Sequence, residues 1–177
     1  MACNLDNSIV YVTGFSSNSI AAINVADPSS PSRVGGIIDG TNLDNPHGIV
    51  YEASGDLLFV ACNDGDALTV LSVADDAASP VVLGSVSSTS YMDTAQYVAS
   101  FPAAGLVFVT GYSSDSVCVV DVSDPSTPTV KEGLVDSTYM DSARGIAWDP
   151  AAKLLFATGQ NSDSLAVMSV AGTVASD

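Results

Sequence analysis

Four stretches of this chain repeat one another at nearly constant spacing, and a repeat of that size leaves few architectures open. IVYVTGFSSNSIAAINVADP begins at Ile9, LFVACNDGDALTVLSVADD at Leu58, VFVTGYSSDSVCVVDVSDP at Val107 and LFATGQNSDSLAVMSVAG at Leu155. Tyr11, Phe59, Phe108 and Phe156 share one register, 48, 49 and 48 residues apart. A fixed period of tens of residues marks solenoids and propellers, whose units bury apolar surface mainly against their neighbours.

The rest of the period repeats as well: DNPHGIVYEASGD from Asp44, DTAQYVASFPAAG from Asp93 and DSARGIAWDPAAK from Asp141. All these stretches are short apolar or alternating runs rich in Val, Ile and aromatics, interrupted by Gly, Asn, Asp, Ser or Pro. No stretch carries a sustained 3.6-residue period, so essentially no helix is expected. One unit reads as strands near 47–51, 57–62, 67–73 and 81–87, and the next as strands near 96–100, 106–111, 116–122 and 130–135. Four short antiparallel strands per unit make a propeller blade. The expected fold is therefore all-β, a β-propeller with residues 1–177 as a single repeat domain.

Turn chemistry points the same way. SSNS, NDGD, SSDS and NSDS separate the second and third strands, with Asn18, Asp66, Asp115 and Asp163 in register. Small polar residues reverse the chain tightly, and Asp or Asn ties such turns to the backbone. Pro28, Pro31, Pro80, Pro125 and Pro128 follow the third strand, where an outer strand can spare an N–H donor.

Composition removes whole classes of partner. Twenty acidic residues, all but Glu52 and Glu132 aspartate, stand against Arg33, Lys131, Arg144 and Lys153, for a formal charge of −16. Nucleic acids and anionic membranes bind through basic clusters, so neither is an expected partner. No apolar run approaches the roughly 20 residues of a membrane span. MACNLDNS lacks a basic segment followed by an apolar run, so no signal peptide is visible. The acidic surface suits an extracellular or cell-surface location among other saline or calcium-rich settings. Cys3, Cys62 and Cys118 have neither disulfide-scaffold nor zinc-site spacing, and Cys62 and Cys118 read as small buried hydrophobes.

The segment VFVTGYSSDSVCVVDVSDPSTPTVKEGLVDSTYMDSARGIAWDP, residues 107–150, resembles the LVIVD-type repeats and more loosely the YVTN-type repeats of β-propellers. The resemblance extends over nearly the whole chain and implies a propeller fold without implying an activity. The second unit departs from it, with Cys62 for glycine, Asp76 for proline and Tyr97 where the neighbouring units have Gly48 and Gly145.

Read from the first residue, the strands number three, four, four and three, about 3.5 to 4 blades. Closed rings have roughly four to eight, and open ends would expose strand edges and apolar faces. The ring is expected to be completed by a partner chain in a homo-oligomer, or by missing blades of a longer ring, rather than to stand as a self-contained monomer.

Asp44, Asp93 and Asp141 each stand three residues before His47, Gln96 and Arg144. In a propeller these triplets lie near the mouth of the central channel. The three carboxylates are candidate ligands for Ca²⁺, an oxygen-loving ion; the simpler reading makes each one a loop cap, with no cofactor. His47, the only histidine, reads as a channel-lining residue or a base, and Arg144 as a local ion pair with Asp141. Tyr91 and Tyr139 are candidate contact residues, while Met92 and Met140 beside them read as core between blades.

No GxSxG elbow, phosphate loop or nucleotide-binding lysine is present. The sequence therefore favours a non-catalytic interaction or scaffold module that presents loops 15–18, 63–66, 88–93, 112–115, 137–141 and 160–163 to a protein or glycan partner. The alternative is a metal-assisted, lactonase-like hydrolase with the three aspartates around one divalent ion.

Overall fold

The computed structural model describes residues 1–170, and they form fifteen strands in four antiparallel sheets. The first sheet contains β1 (Ala2–Asn4), β2 (Ile9–Gly14), β3 (Ser19–Asn24) and β4 (Ser32–Ile38) in chain order. The second contains β5 (Pro46–Glu52), β6 (Leu57–Cys62), β7 (Ala67–Ser72) and β8 (Val81–Ser87). The third contains β9 (Ala95–Phe101), β10 (Leu106–Gly111), β11 (Ser116–Asp121) and β12 (Thr129–Val135). The fourth contains β13 (Ala143–Asp149), β14 (Leu154–Gly159) and β15 (Ser164–Ser169).

Each sheet is a blade of a propeller, and the first strands β1, β5, β9 and β13 are neighbours along the inner side. The sequence count of fourteen strands is corrected by β1, which pairs Ala2–Asn4 with Tyr11–Ile9 and gives the first blade its inner strand. The only helical pieces among the described residues are 3-10 turns at Phe15–Ser17 and Pro102–Ala104. No helix there is long and apolar enough to cross a membrane.

The middle strands alternate between two blade faces. One face, here called following, points toward the next blade in the chain, and the other, preceding, points back. Tyr11, Ile20 and Ala22 of the first blade pack on Leu58, Val60 and Leu71 of the second. Phe59, Leu68 and Val70 of the second pack on Val107, Val109, Cys118 and Val120 of the third. Phe108 and Val117 of the third pack on Leu155 and Ala157 of the fourth. Because both faces are covered, β6 and β10 are buried along nearly their whole length and lose the alternation of a half-exposed strand. Outer strand β8 keeps it. Met92 and Met140, fully buried, plug the second and third of these joints.

Candidate functional site

The inner strands share one irregularity. His47 and Gly48 lie between the pairs Pro46 with Cys62 and Ile49 with Val60, so two residues face the single Ala61. Gln96 and Tyr97 likewise face Thr110, and Arg144 and Gly145 face Thr158. A β-bulge of this kind bends the strand and re-aims its side chains. Repeated in three adjacent blades, it brings His47, Gln96 and Arg144 to equivalent positions at one end of the inner strands.

Threonines hold the bulges. The Thr110 hydroxyl receives the Tyr97 N–H at 3.0 Å and donates to the Arg144 carbonyl of the next blade at 2.8 Å. Thr158 receives the Gly145 N–H at 2.9 Å, and Thr13 donates to the His47 carbonyl across the first joint at 2.8 Å. The hydroxyl thus occupies backbone groups that the bulge takes out of the ladder. Close approach matters as well: a Cβ on Gly48 would lie 2.6 Å from the Gln96 carbonyl oxygen and 2.7 Å from the Tyr97 Cα.

Tyr97, the residue that stands where the adjacent units have glycine, sets its ring edge-on to His47 at 5.0 Å. Phe15 meets the same imidazole edge-on at 6.1 Å. Arg144 places its guanidinium 5.6 Å from the centre of the Tyr112 ring. The expected ion pair between Arg144 and Asp141 is absent among the described residues, where the one salt bridge joins Lys131 to Asp121. Gln96 is only 6% exposed, and its Oε1 has no partner. Phe15, Tyr97 and Tyr112 were not singled out as site residues from sequence, although the break in the glycine pattern at Tyr97 was the available signal.

Burial pushes the His47 pKa below its ordinary value, opposed by a hydrogen bond with the Gln96 backbone and reinforced by the positive charge of Arg144. The imidazole is therefore neutral at pH 7. The three bulges offer a neutral base, a permanent cation and aromatic rings at one end of the inner strands, with the buried Gln96 amide on the middle bulge. That combination fits a hydroxylated ligand carrying a carbonyl or an anionic group.

The three candidate carboxylates sit in separate loops ahead of the inner strands. Asp93 accepts the Thr94 hydroxyl at 3.1 Å, and Asp141 accepts the Ser142 hydroxyl at 3.2 Å and the Asn161 amide at 3.4 Å. Among the described residues no three His, Cys, Asp or Glu side chains are grouped to hold a metal ion, so Asp44, Asp93 and Asp141 do not form one ligand set.

The turn residues instead link blades. Asn18 Oδ1 accepts the Asn45 N–H at 3.0 Å, Asp66 Oδ1 the Thr94 N–H at 2.8 Å, and Asp115 Oδ1 the Ser142 N–H at 2.8 Å. Each bond runs from one blade's second turn to the start of the next blade's inner strand. The Tyr91 ring packs against Gly133 of the third blade's outer strand and is half-buried. Tyr139, its equivalent one blade later, has no fourth strand to pack on among the described residues and is 56% exposed.

Other features are less suited to chemistry. A groove of about 370 Å³ between the third and fourth blades is lined mostly by apolar residues such as Phe108, Val119, Leu155 and Met168. Cys62 and Cys118 are free and buried, and desolvation pushes their pKa values to about 11 and about 12. Thiols so protonated are poor nucleophiles.

No family model matches the chain, and neither does any curated protein sequence. Solved structures do resemble it in fold. A protein of unknown function from Desulfotomaculum acetoxidans superposes with a TM-score of 0.73 at 18% identity, over 96% of this chain and 53% of that one. A candidate 6-phosphogluconolactonase from Bacteroides uniformis gives 0.74 at 15% identity, over 96% and 53%. The periplasmic gluconolactonase of Pseudomonas aeruginosa gives 0.66 at 16% identity, over 96% and 56%. The chain thus spans about half the length of these propellers.

Proposed function

We propose that the chain carries part of a lactone-hydrolysing site, acting on the ring ester of a sugar-acid lactone at the bulged ends of β5, β9 and β13. One observation carries the reading: the only histidine and one of four basic residues in a chain of charge −16 stand on equivalent bulges, beside a buried amide with an open acceptor. Fold likeness to two lactonase propellers supports it at the level of architecture. The interaction-module reading rests on the broad polar rim alone and gains no particular residue. Completion of the ring, by a partner chain or by further blades, would supply the remaining walls.

In this reading the sugar lactone lies with C–H faces against Tyr97 and Phe15 and its carbonyl toward Arg144. Neutral His47 takes a proton from water as the water oxygen bonds to the lactone carbonyl carbon. The tetrahedral oxyanion is held by the Arg144 guanidinium, a donor placed where negative charge develops. The ring C–O bond then breaks, and the leaving oxygen takes the proton back from the imidazolium. The product is an open-chain hydroxy acid, whose carboxyl proton is released to solvent so that the carboxylate faces Arg144.

The test is proton release from glucono-1,5-lactone and its 6-phosphate, followed with a pH indicator against the spontaneous rate. Wild-type chain should exceed that rate. His47→Gln should lower kcat by about 10²–10⁴, and Arg144→Gln should raise KM as well. A wild-type chain that neither accelerates hydrolysis nor binds gluconate would overturn the reading.

A further inference from the structure

We propose that Tyr112 is a positioning residue, its ring holding the Arg144 guanidinium across the joint between the third and fourth blades while leaving the N–H donors of that cation free. What Arg144 then does for a lactone rests on the proposed function; how it is held does not.

One position repeats its role from blade to blade. Phe15, Asn63, Tyr112 and Gln160 each follow directly on a second strand, β2, β6, β10 or β14. After β6, β10 and β14 the backbone there is tied to the start of the same blade's inner strand. Asn63 N–H donates to the Asn45 carbonyl at 3.0 Å, Tyr112 N–H to Thr94 at 3.2 Å and Gln160 N–H to Ser142 at 3.1 Å. The side chain meanwhile reaches the bulge of the next blade. Phe15 of the first blade meets His47 of the second edge-on at 6.1 Å, and the Tyr112 ring of the third meets Arg144 of the fourth at 5.6 Å. At the middle joint Asn63 and Gln96 occupy the corresponding positions. The bulge residues that carry a base and a cation are thus the two that face an aromatic ring.

Arg144 is exposed in a chain of twenty acidic residues, yet it has no carboxylate partner among the described residues. A carboxylate would engage the guanidinium through its planar N–H fork and occupy donors. An aromatic ring attracts the same charge through its quadrupole and takes up none of them. It also narrows the positions open to a long, rotamer-rich side chain. The imidazole of His47 senses where that charge stands. Burial is the largest influence lowering its pKa, the Gln96 backbone acts the other way, and the charges of Arg144 and of the Met1 amino group lower it further. The other titratable group facing the imidazole is Tyr97.

A magnetic resonance pH titration of the single imidazole in the purified 177-residue chain tests this. Arg144→Gln should raise the His47 pKa by removing a positive charge. Tyr112→Gln places at this position the residue type that the fourth blade carries at Gln160, so the fold should accommodate it. It should shift the His47 pKa upward as well, because a guanidinium without the ring spreads over positions farther from the imidazole. Tyr112→Phe keeps the ring and should retain the wild-type value. Added to Arg144→Gln, Tyr112→Gln should give no further shift, since it acts through that charge. Circular dichroism melts check that each variant is folded. No lactone enters the measurement, so this inference and the lactone reading can fail separately. A Tyr112→Gln protein with the wild-type His47 pKa would overturn the proposal. So would a Tyr112→Phe shift as large as that of Tyr112→Gln, or a Tyr112→Gln shift that persists in full without Arg144.

Discussion

Thr110 serves two strands with one hydroxyl, accepting from Tyr97 in its own blade and donating to Arg144 in the next. Thr110→Val keeps the shape and leaves both backbone groups unpaired in a buried place. We expect a loss of about 1–3 kcal/mol in urea unfolding, with KM rising more than kcat falls because Arg144 is displaced. An unchanged midpoint would show that the hydroxyl holds nothing. Titration of His47 has a definite sign: its folded pKa lies below the ordinary value, so the unfolded chain binds the proton more readily. Stability from this residue is complete above pH about 6.5 and falls as pH drops toward the depressed folded value. His47→Gln should flatten that slope. The separated aspartates Asp44, Asp93 and Asp141 lead to a further expectation, that micromolar Ca²⁺ leaves the melting temperature unchanged. A rise of several degrees would restore the metal reading.

At the scale of elements, the blade joints combine apolar faces with a repeated hydrogen bond from a left-handed turn residue. Asn18, Asp66, Asp115 and Asp163 have φ of 49°, 47°, 50° and 48°, a region that Asn and Asp tolerate better than other non-glycine residues. Charge is not what these positions require, since Asn18 makes the same link as Asp66 and Asp115. Asp115→Asn should therefore be nearly neutral in thermal melts, whereas Asp115→Ala should cost about 1–3 kcal/mol by orphaning the Ser142 N–H. Equal losses would show that charge matters. The strands and turns of each blade were legible because alternation, turn residues and period recur together from Ile9 to Met168. β1 was not, because Ala2–Asn4 is too short to show alternation. The bulges were hidden for another reason: an extra residue in a ladder changes pairing without changing composition. Hence the shared register of His47, Gln96 and Arg144 could be read from the sequence, while their bulges and the aromatic setting of His47 could not.

The whole molecule carries −16 charges and, among the described residues, one salt bridge between half-exposed partners. Self-repulsion should dominate its electrostatics. Raising salt from about 10 mM to about 300 mM at pH 7 shortens the screening length from roughly 30 Å to under 10 Å and should raise the melting temperature. A fall would mean that attractive pairs outweigh repulsion. Against this acidic background, the proposed function requires three blades to build one ligand-reading mouth around His47. Its imidazole is the only one in the chain, so its magnetic resonance signals are unambiguous. The decisive measurement is a pH titration of those signals with and without gluconate. The free protein is expected to show a pKa below the ordinary value of about 6.5, and adding gluconate to shift the imidazole signals in a way that Arg144→Gln weakens. An ordinary pKa together with signals indifferent to gluconate would contradict the proposed function.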